Sequence, residues 1–181
     1  MLKGLRIANL LLLNAALLAG PLAAQSRLPN GDAVKVAVVV KLVQFVTWPQ
    51  SALPTADRPV EFCVLGKDHW VPLLKEAAHG ESVNGHAIKV TRIERAPQAM
   101  TCHVLVIGAA VELDGMDVLE KLPILTIRGE KTGQSQRAMV TLTIESGRTR
   151  FILDVERADR AHLRFSSKLL QLADAGLRGS P

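Results

Sequence analysis

The chain has 181 residues, of which 48% are hydrophobic and 22% are charged, and this is long enough for one domain with a buried core. Its formal net charge of +5 at pH 7 falls by two, to +3, once Lys3 and Arg6 of the first segment are set aside. That excess is too small for the basic stripe of a nucleic-acid-binding protein, so nucleic acid is excluded as a partner.

The first 24 residues have the layout of a secretory signal peptide, with a basic start, a short apolar stretch and small residues after it. Cleavage is expected near Ala23 or Ala24, although Leu22 is larger than the usual residue at its position and leaves an uncleaved anchor open. In a bacterium, export would place the mature chain in the periplasm. The predicted organisation is a signal peptide over 1–24, a flexible lead-in over 25–32, one domain over 33–174 and a tail over 175–181.

The segment from Ala33 to Trp48 is predicted to be one helix. Its polar residues Lys41, Gln44 and Thr47 recur every third position, so they share one solvated stripe, whereas a strand would alternate polar and apolar residues. Its polar residues, two lysines among them, exclude a membrane span. Asp32 is the expected N-cap, and Pro49 ends the segment because the residue before a proline avoids helical geometry.

Phe45 and Trp48 lie three residues apart, so the predicted helix places them on one face near its end. The favoured interpretation is that both rings fill the core. The alternative is that part of this face, with Lys41, contacts a partner protein.

Short apolar runs alternate with helical patterns along the rest of the chain. This alternation predicts an α/β fold, a three-layer sandwich with a central mixed, mostly parallel sheet flanked by helices and a C-terminal β-hairpin plus helix. The predicted elements are strands over 60–66, 86–93, 102–110 and 123–130, helices over 68–80 (capped by Asp68) and 111–122, a hairpin over 138–155 that turns at Ser146-Gly147, and helical segments that stop at Gly176.

Cys63 and Cys102 are the chain's two cysteines. In an oxidising compartment such a pair is most simply a disulfide, and closing a loop of roughly 40 residues would contribute about 4 kcal/mol. If the strands that carry them are neighbours, the two cysteines come within bonding range. The alternative, a reactive thiol pair, lacks the C-x-x-C spacing of redox motifs.

No catalytic or metal-binding pattern stands out. The five histidines show no metal-ligand spacing, no glycine-rich loop has phosphate-binding spacing, and no serine lies in a nucleophile elbow. We therefore expect no metal, no cofactor and no enzymatic activity. An enzyme whose site is assembled from distant residues stays open as a third hypothesis.

A basic cluster near the C-terminus could bind a polar ligand, because guanidinium groups suit carboxylates and phosphates. A solvated basic rim is the favoured alternative. The candidate ligand-binding residues are Arg150, Arg164, Ser166, Ser167 and Lys168.

Two segments, joined by similar central strands, resemble a known family. The stretch "VKVAVVVKLVQFVTWP" resembles the opening helix of the YfiR family (the DUF4154 domain), and "GRTRFILDVERADRAHLRFSSKLLQLA" is similar to its closing segment. The central strands are also similar, with Cys63 and Cys102 at the expected places. The chain departs from the family pattern at Val38, Val40 and Lys41, where Phe, Tyr and Asn are usual, and it has no second cysteine pair.

The resemblance implies a periplasmic regulatory protein of α/β fold that forms homodimers. The best-known member represses an inner-membrane diguanylate cyclase by binding its periplasmic sensor domain, which controls cyclic-di-GMP and biofilm formation. Our leading hypothesis for this chain is the same kind of repressor. The alternative is a periplasmic small-molecule binding module that feeds another membrane receptor, such as a histidine kinase.

Overall fold

The structure is a computed structural model that describes residues 31–55, 57–66, 69–108, 116–129, 138–145 and 148–178. The predicted signal peptide, nearly all of the lead-in, the Asp68 helix cap and the Ser146-Gly147 turn lie outside the described residues.

The described residues form helices, strands and short 3₁₀ turns in alternation. The helices are α1 (Gly31–Leu42), α2 (Trp70–Ala77), α3 (Val155–Arg160) and α4 (Ser167–Arg178). The strands are β1 (Val46–Thr47), β2 (Val60–Leu65), β3 (Ser82–Val83), β4 (His86–Ile93), β5 (Val104–Ile107), β6 (Leu125–Arg128), β7 (Val140–Glu145), β8 (Arg148–Leu153) and β9 (Arg164–Phe165). The 3₁₀ helices span Val43–Phe45, Gln50–Ala52, Ala96–Thr101 and Met116–Leu119.

The main sheet has seven strands in the order β3-β4-β2-β5-β6-β7-β8. The pairs from β4 to β7 are parallel, whereas β3–β4 and the β7–β8 hairpin are antiparallel. The predicted α/β fold with a mixed, mostly parallel sheet and a C-terminal hairpin plus helix is therefore confirmed. The central strands β5 and β6 are buried along their whole length. This explains the continuous apolar run of β5, whereas β6 also buries Thr126 and Arg128.

The two faces of the sheet are covered differently. Residues of α1, α2 and α4 pack on one face against Phe62, Val104 and Leu142. The 3₁₀ helices Ala96–Thr101 and Met116–Leu119 cover the other face, beside the two cysteines. Each fully buried aliphatic side chain contributes roughly 1.5–3 kcal/mol, so both layers add substantially to stability.

The predicted helix over 111–122 is wrong in its described part, which is a single 3₁₀ turn at Met116–Leu119. Side chains three residues apart eclipse in a 3₁₀ turn, and this points both Met116 and Leu119 into the core. The predicted stop at Gly176 is also wrong, because α4 continues to Arg178.

The predicted helix from Ala33 to Trp48 is correct only in its first part. α1 begins at Gly31, so Asp32 lies in its first turn, and it ends at Leu42; a 3₁₀ turn then leads into β1. β1 pairs antiparallel with β9, with Val46 opposite Phe165. The β-branched residues of β1 suit an extended strand, and the distant partner strand overrides the helical pattern.

Candidate functional site

An apolar surface cleft lies between α1, α4 and the inner face of β8. Its volume is about 510 Å³, and Lys41 is its one charged lining residue among the described part of the chain. We call it the α1–α4 cleft, and its lining residues are Ala33, Val34, Ala37, Val38, Lys41, Leu42, Phe45, Phe151, Leu169 and Leu172.

The composition of α1 explains why this cleft is apolar. Five of its twelve residues are valine, and apolar residues surround the whole helix instead of forming one stripe. Val36 and Val39 face the core, which leaves Val34 and Val38 on the cleft side. Val34 is 37% exposed, and Leu172 on the opposite wall is 50% exposed. The cleft therefore presents apolar surface that the described residues leave uncovered.

Phe45 forms part of the cleft wall and is linked to the start of α4. The Ser166 backbone N–H donates to the carbonyl of Phe45 at 2.9 Å, while the Ser166 hydroxyl accepts from the Leu169 N–H at 3.3 Å and caps the helix. The ammonium of Lys168 lies 5.4 Å from the centroid of the Phe45 ring. A cation–π contact of this kind is worth about 0.5–1 kcal/mol at an exposed site.

Charged side chains fix both ends of α1. At its C-terminal end, Lys41 donates to both carboxylate oxygens of Glu81 at 2.8 Å. At its N-terminal end, Asp32 contacts Nε2 of His69 at 2.6 Å and the ammonium of Lys35 at 3.4 Å. Although burial opposes ionisation, the His69 hydrogen bond and the Lys35 charge hold the pKa of Asp32 below its ordinary value. The helix that forms one wall is therefore tied to the rest of the fold by the His69 hydrogen bond at one end and by the Glu81 ion pair at the other.

A second, polar cleft lies on the other face of the sheet, above the Cys63–Cys102 disulfide. The two Cα atoms are 6.0 Å apart, and the disulfide joins neighbouring parts of the sheet as expected from β2 and β5 lying side by side. This disulfide cleft has a volume of about 510 Å³. Its lining residues are Leu53, Pro54, Thr55, Arg58, Pro59, Glu61, Cys63, Lys89, Thr91, Ile93, Gln98, Thr101 and His103.

Hydrogen bonds fix the positions of His103 and Glu61 in the disulfide cleft. The Glu61 backbone N–H donates to Nδ1 of His103 at 3.0 Å, so this ring nitrogen carries no proton. Burial lowers the pKa of His103, against the opposing effect of the Glu61 carboxylate. That carboxylate accepts from Lys89 at 2.9 Å. The cleft thus contains a neutral imidazole and a charge pair beside the disulfide.

The model of the protein family described as YfiR/HmsC-like matches residues 32–174. The chain belongs to the YfiR/HmsC-like family. The match spans α1 through most of α4 and so includes every residue of both clefts. No curated protein matches the chain significantly.

In this YfiR/HmsC-like chain the two predicted partner-binding aromatics are separated. The prediction that one helix face presents both is wrong, because α1 ends at Leu42, Phe45 lies in the following 3₁₀ turn and β1 separates it from Trp48. Trp48 is 5% exposed and packs in the core, whereas Phe45 is half-buried at the α1–α4 cleft. Lys41, the third predicted partner-binding residue, lies on the rim of the same cleft. Phe45 and Lys41 therefore remain together at one surface.

The predicted ligand-binding residues lie on three surfaces. Ser166, Ser167 and Lys168 start α4 beside Phe45. Arg164 is exposed on β9. Arg150 pairs with Thr143 on the sheet face opposite to the cleft, since its neighbour Phe151 points into the cleft and adjacent strand residues alternate.

Sequence reasoning missed Phe151, Leu169 and Leu172 as cleft residues. Two signals could have indicated them: the i, i+3 spacing of the two leucines on an amphipathic helix, and the alternation of the hairpin strand that carries Phe151. The sequence does not indicate that these three residues face α1, because only tertiary packing decides that contact.

Among the described residues, no three His, Cys, Asp or Glu side chains are grouped so that they could hold a metal ion. Within the same ranges, every helix is too short or too polar to cross a bilayer.

Proposed function

We propose that this protein is an exported regulator that represses a membrane-bound diguanylate cyclase by binding the cyclase's periplasmic domain at the α1–α4 cleft. Membership of the YfiR/HmsC-like family supports a regulatory role. The observation that carries the proposal is the apolar cleft itself, with exposed Val34 and Leu172 on facing walls. Clustered exposed apolar side chains mark interaction sites more often than scattered ones do.

The charged residues at the α1–α4 cleft indicate what kind of partner segment would fit it. Lys41 already bonds Glu81 through both carboxylate oxygens. Lys168 lies over the Phe45 ring and makes no ion pair with another described residue. The surface that fits is an apolar helix or loop with an acidic residue near Lys168. Complementary charge would favour encounter and orientation, while the apolar contacts would supply most of the affinity.

The test measures cyclic-di-GMP in the native cell. Deleting the gene should raise cyclic-di-GMP, and returning the wild-type gene should lower it again. Leu172→Glu adds a charge to the cleft wall at a half-exposed site, so the protein should fold but fail to repress. Val118→Glu is the matched control, because Val118 is 58% exposed and lies in the Met116–Leu119 turn on the other face of the sheet.

Purified proteins give the direct readout. The cyclase's periplasmic domain should bind the wild type and Val118→Glu alike, and bind Leu172→Glu at least about tenfold more weakly. An unchanged cyclic-di-GMP level after deletion would refute the regulatory role. Equal binding by both variants would leave the role in place but refute the cleft as its surface.

A second candidate function is a small-molecule sensor, and the disulfide cleft favours it. That cleft combines a Lys89–Glu61 charge pair with hydroxyl and amide groups around a concave floor. A ligand that binds only the folded state stabilises it by about 2.7 kcal/mol at roughly one hundred times Kd. A panel of small carboxylates, amines and amino acids should then include compounds that raise Tm, and Lys89→Gln should abolish the shift. A panel without a shift contradicts this candidate.

A further inference from the structure

Strand β4 leaves most of one edge of the main sheet uncovered. It pairs with β2 along Ile88 to Ile93 on its inner side. On its outer side, β3 covers only His86 and Ala87. Among the described residues, no other backbone pairs with the outer edge from Ile88 to Ile93. Alternate N–H and C=O groups of this open edge are therefore available to an added strand.

A cavity of about 520 Å³ lies beside this open edge. Ile88 and Val90 form its strand wall, on the face of β4 that packs toward α2. Lys75 of α2 and His79, in the turn that follows this helix, form the opposite wall. An extended segment laid along β4 would point every second side chain toward this cavity, because side chains alternate along a strand. An uncovered edge beside a side-chain cavity is the arrangement by which peptides add a strand to a sheet.

The charges around the cavity indicate what kind of segment fits. Glu81 lines the cavity, but its carboxylate is bonded to Lys41. Lys89 and Arg92, on the strand itself, are bonded to Glu61 and Glu94. Lys75 makes no ion pair with another described residue, so the cavity keeps a positive charge at its helix wall. An acidic side chain entering from an added strand would meet that charge.

We propose that the β4 edge binds an extended acidic segment of a partner protein, which adds a strand along Ile88–Ile93 and places an acidic side chain near Lys75. This surface is separate from the α1–α4 cleft, and the proposal stands whether or not the regulatory function holds. Main-chain hydrogen bonds to β4 would provide affinity, and the cavity would select the side chain.

A second copy of this chain fits the edge less well. β4 contains no acidic residue, and its basic residues Lys89 and Arg92 already pair with Glu61 and Glu94. A second β4 would therefore bring no acidic side chain to Lys75. Like charges across a strand pair are unfavourable, and basic side chains on an edge are a common means of preventing such pairing. An acidic strand avoids this repulsion.

The probe is a short fluorescent peptide of alternating Val and Glu, as long as the open edge. It is compared with a version methylated at alternate backbone nitrogens and with a version carrying Lys in place of Glu. Anisotropy gives the affinities, and amide NMR spectra of isotope-labelled protein show where the peptide binds. Methylation removes main-chain donors without changing the side chains, so it should weaken binding at least about tenfold.

Lys75→Glu tests the charge, with Lys121→Glu as the control at an exposed lysine away from the edge. Lys75→Glu should lose affinity for the Glu peptide and gain affinity for the Lys peptide, and Lys121→Glu should change neither. Amide shifts should concentrate in β4 and the end of α2. Each of three outcomes would overturn the proposal: no binding by folded protein up to about 1 mM, equal binding of the methylated peptide, or protection of β4 amides by self-association without peptide.

Discussion

The Cys63–Cys102 disulfide should supply a large share of this domain's stability. The two residues are 39 positions apart, so the disulfide closes a long loop in the unfolded chain. The chain-entropy model for a loop of this length gives about 4 kcal/mol at 25 °C. For a domain of roughly 150 residues, each kcal/mol corresponds to about 2–4 °C in Tm. Loss of the crosslink should therefore make the Cys63→Ala/Cys102→Ala protein melt at least about 8–16 °C below the oxidised wild type.

Reduced wild-type protein separates the crosslink from the packing of the sulfur atoms. Both cysteines are buried, so the alanine variant also loses contacts in the core beneath the Ala96–Thr101 turn. Reduced wild type keeps both sulfurs and loses only the bond. Urea unfolding of the three forms should rank the oxidised protein first by about 4 kcal/mol. If the reduced wild type lies within about 1 kcal/mol of the oxidised protein, the loop-closure argument is wrong for this fold.

The remaining predictions concern two glycines and one histidine. Gly129→Ala should cost about 1–3 kcal/mol in urea unfolding, because its Cβ would lie 2.6 Å from the buried Trp70 ring. Gly31→Ala should change stability by less than about 0.5 kcal/mol, since among the described residues its Cβ would meet only the flexible end of the half-exposed Ile144 side chain. For His103, burial lowers the folded-state pKa, so the unfolded chain binds the extra proton first as pH falls. The free energy of unfolding should therefore decline as pH drops below about 6.5. His103→Asn keeps an acceptor for the Glu61 N–H but cannot take up a proton, so the part of this decline that His103 causes should disappear when unfolding is measured at several pH values.

The parts of the fold that local sequence determines were predictable. The β7–β8 hairpin follows from two alternating runs around a turn signal, and β2, β5 and β6 follow from short apolar runs. Within the described residues, their predicted ends were too long by one or two residues, because a local pattern does not mark where pairing in the sheet stops. Cysteine pairing was predictable because only one pair exists.

The end of α1 was not predictable from local pattern. Val46 and Thr47 continue the apolar and polar spacing of the helix, yet they form a strand because β9 lies alongside them. β9 is more than one hundred residues later in the chain, and no local signal records that pairing. The same limit explains the candidate site, since Phe45 and Lys168 meet only after both ends of the chain have packed together.

α1 links the core of this protein to its proposed binding surface. Its valines give it poor intrinsic helix propensity, so burial of its side chains must hold it helical. The rest of the fold buries the core-facing side chains of α1, but Val34 and Val38 on the cleft side are still partly exposed. A partner that filled the cleft would bury those side chains as well. Binding there would therefore stabilise the same helix that completes the core. The Asp32–His69 and Lys41–Glu81 contacts would keep that helix in place before the partner arrives.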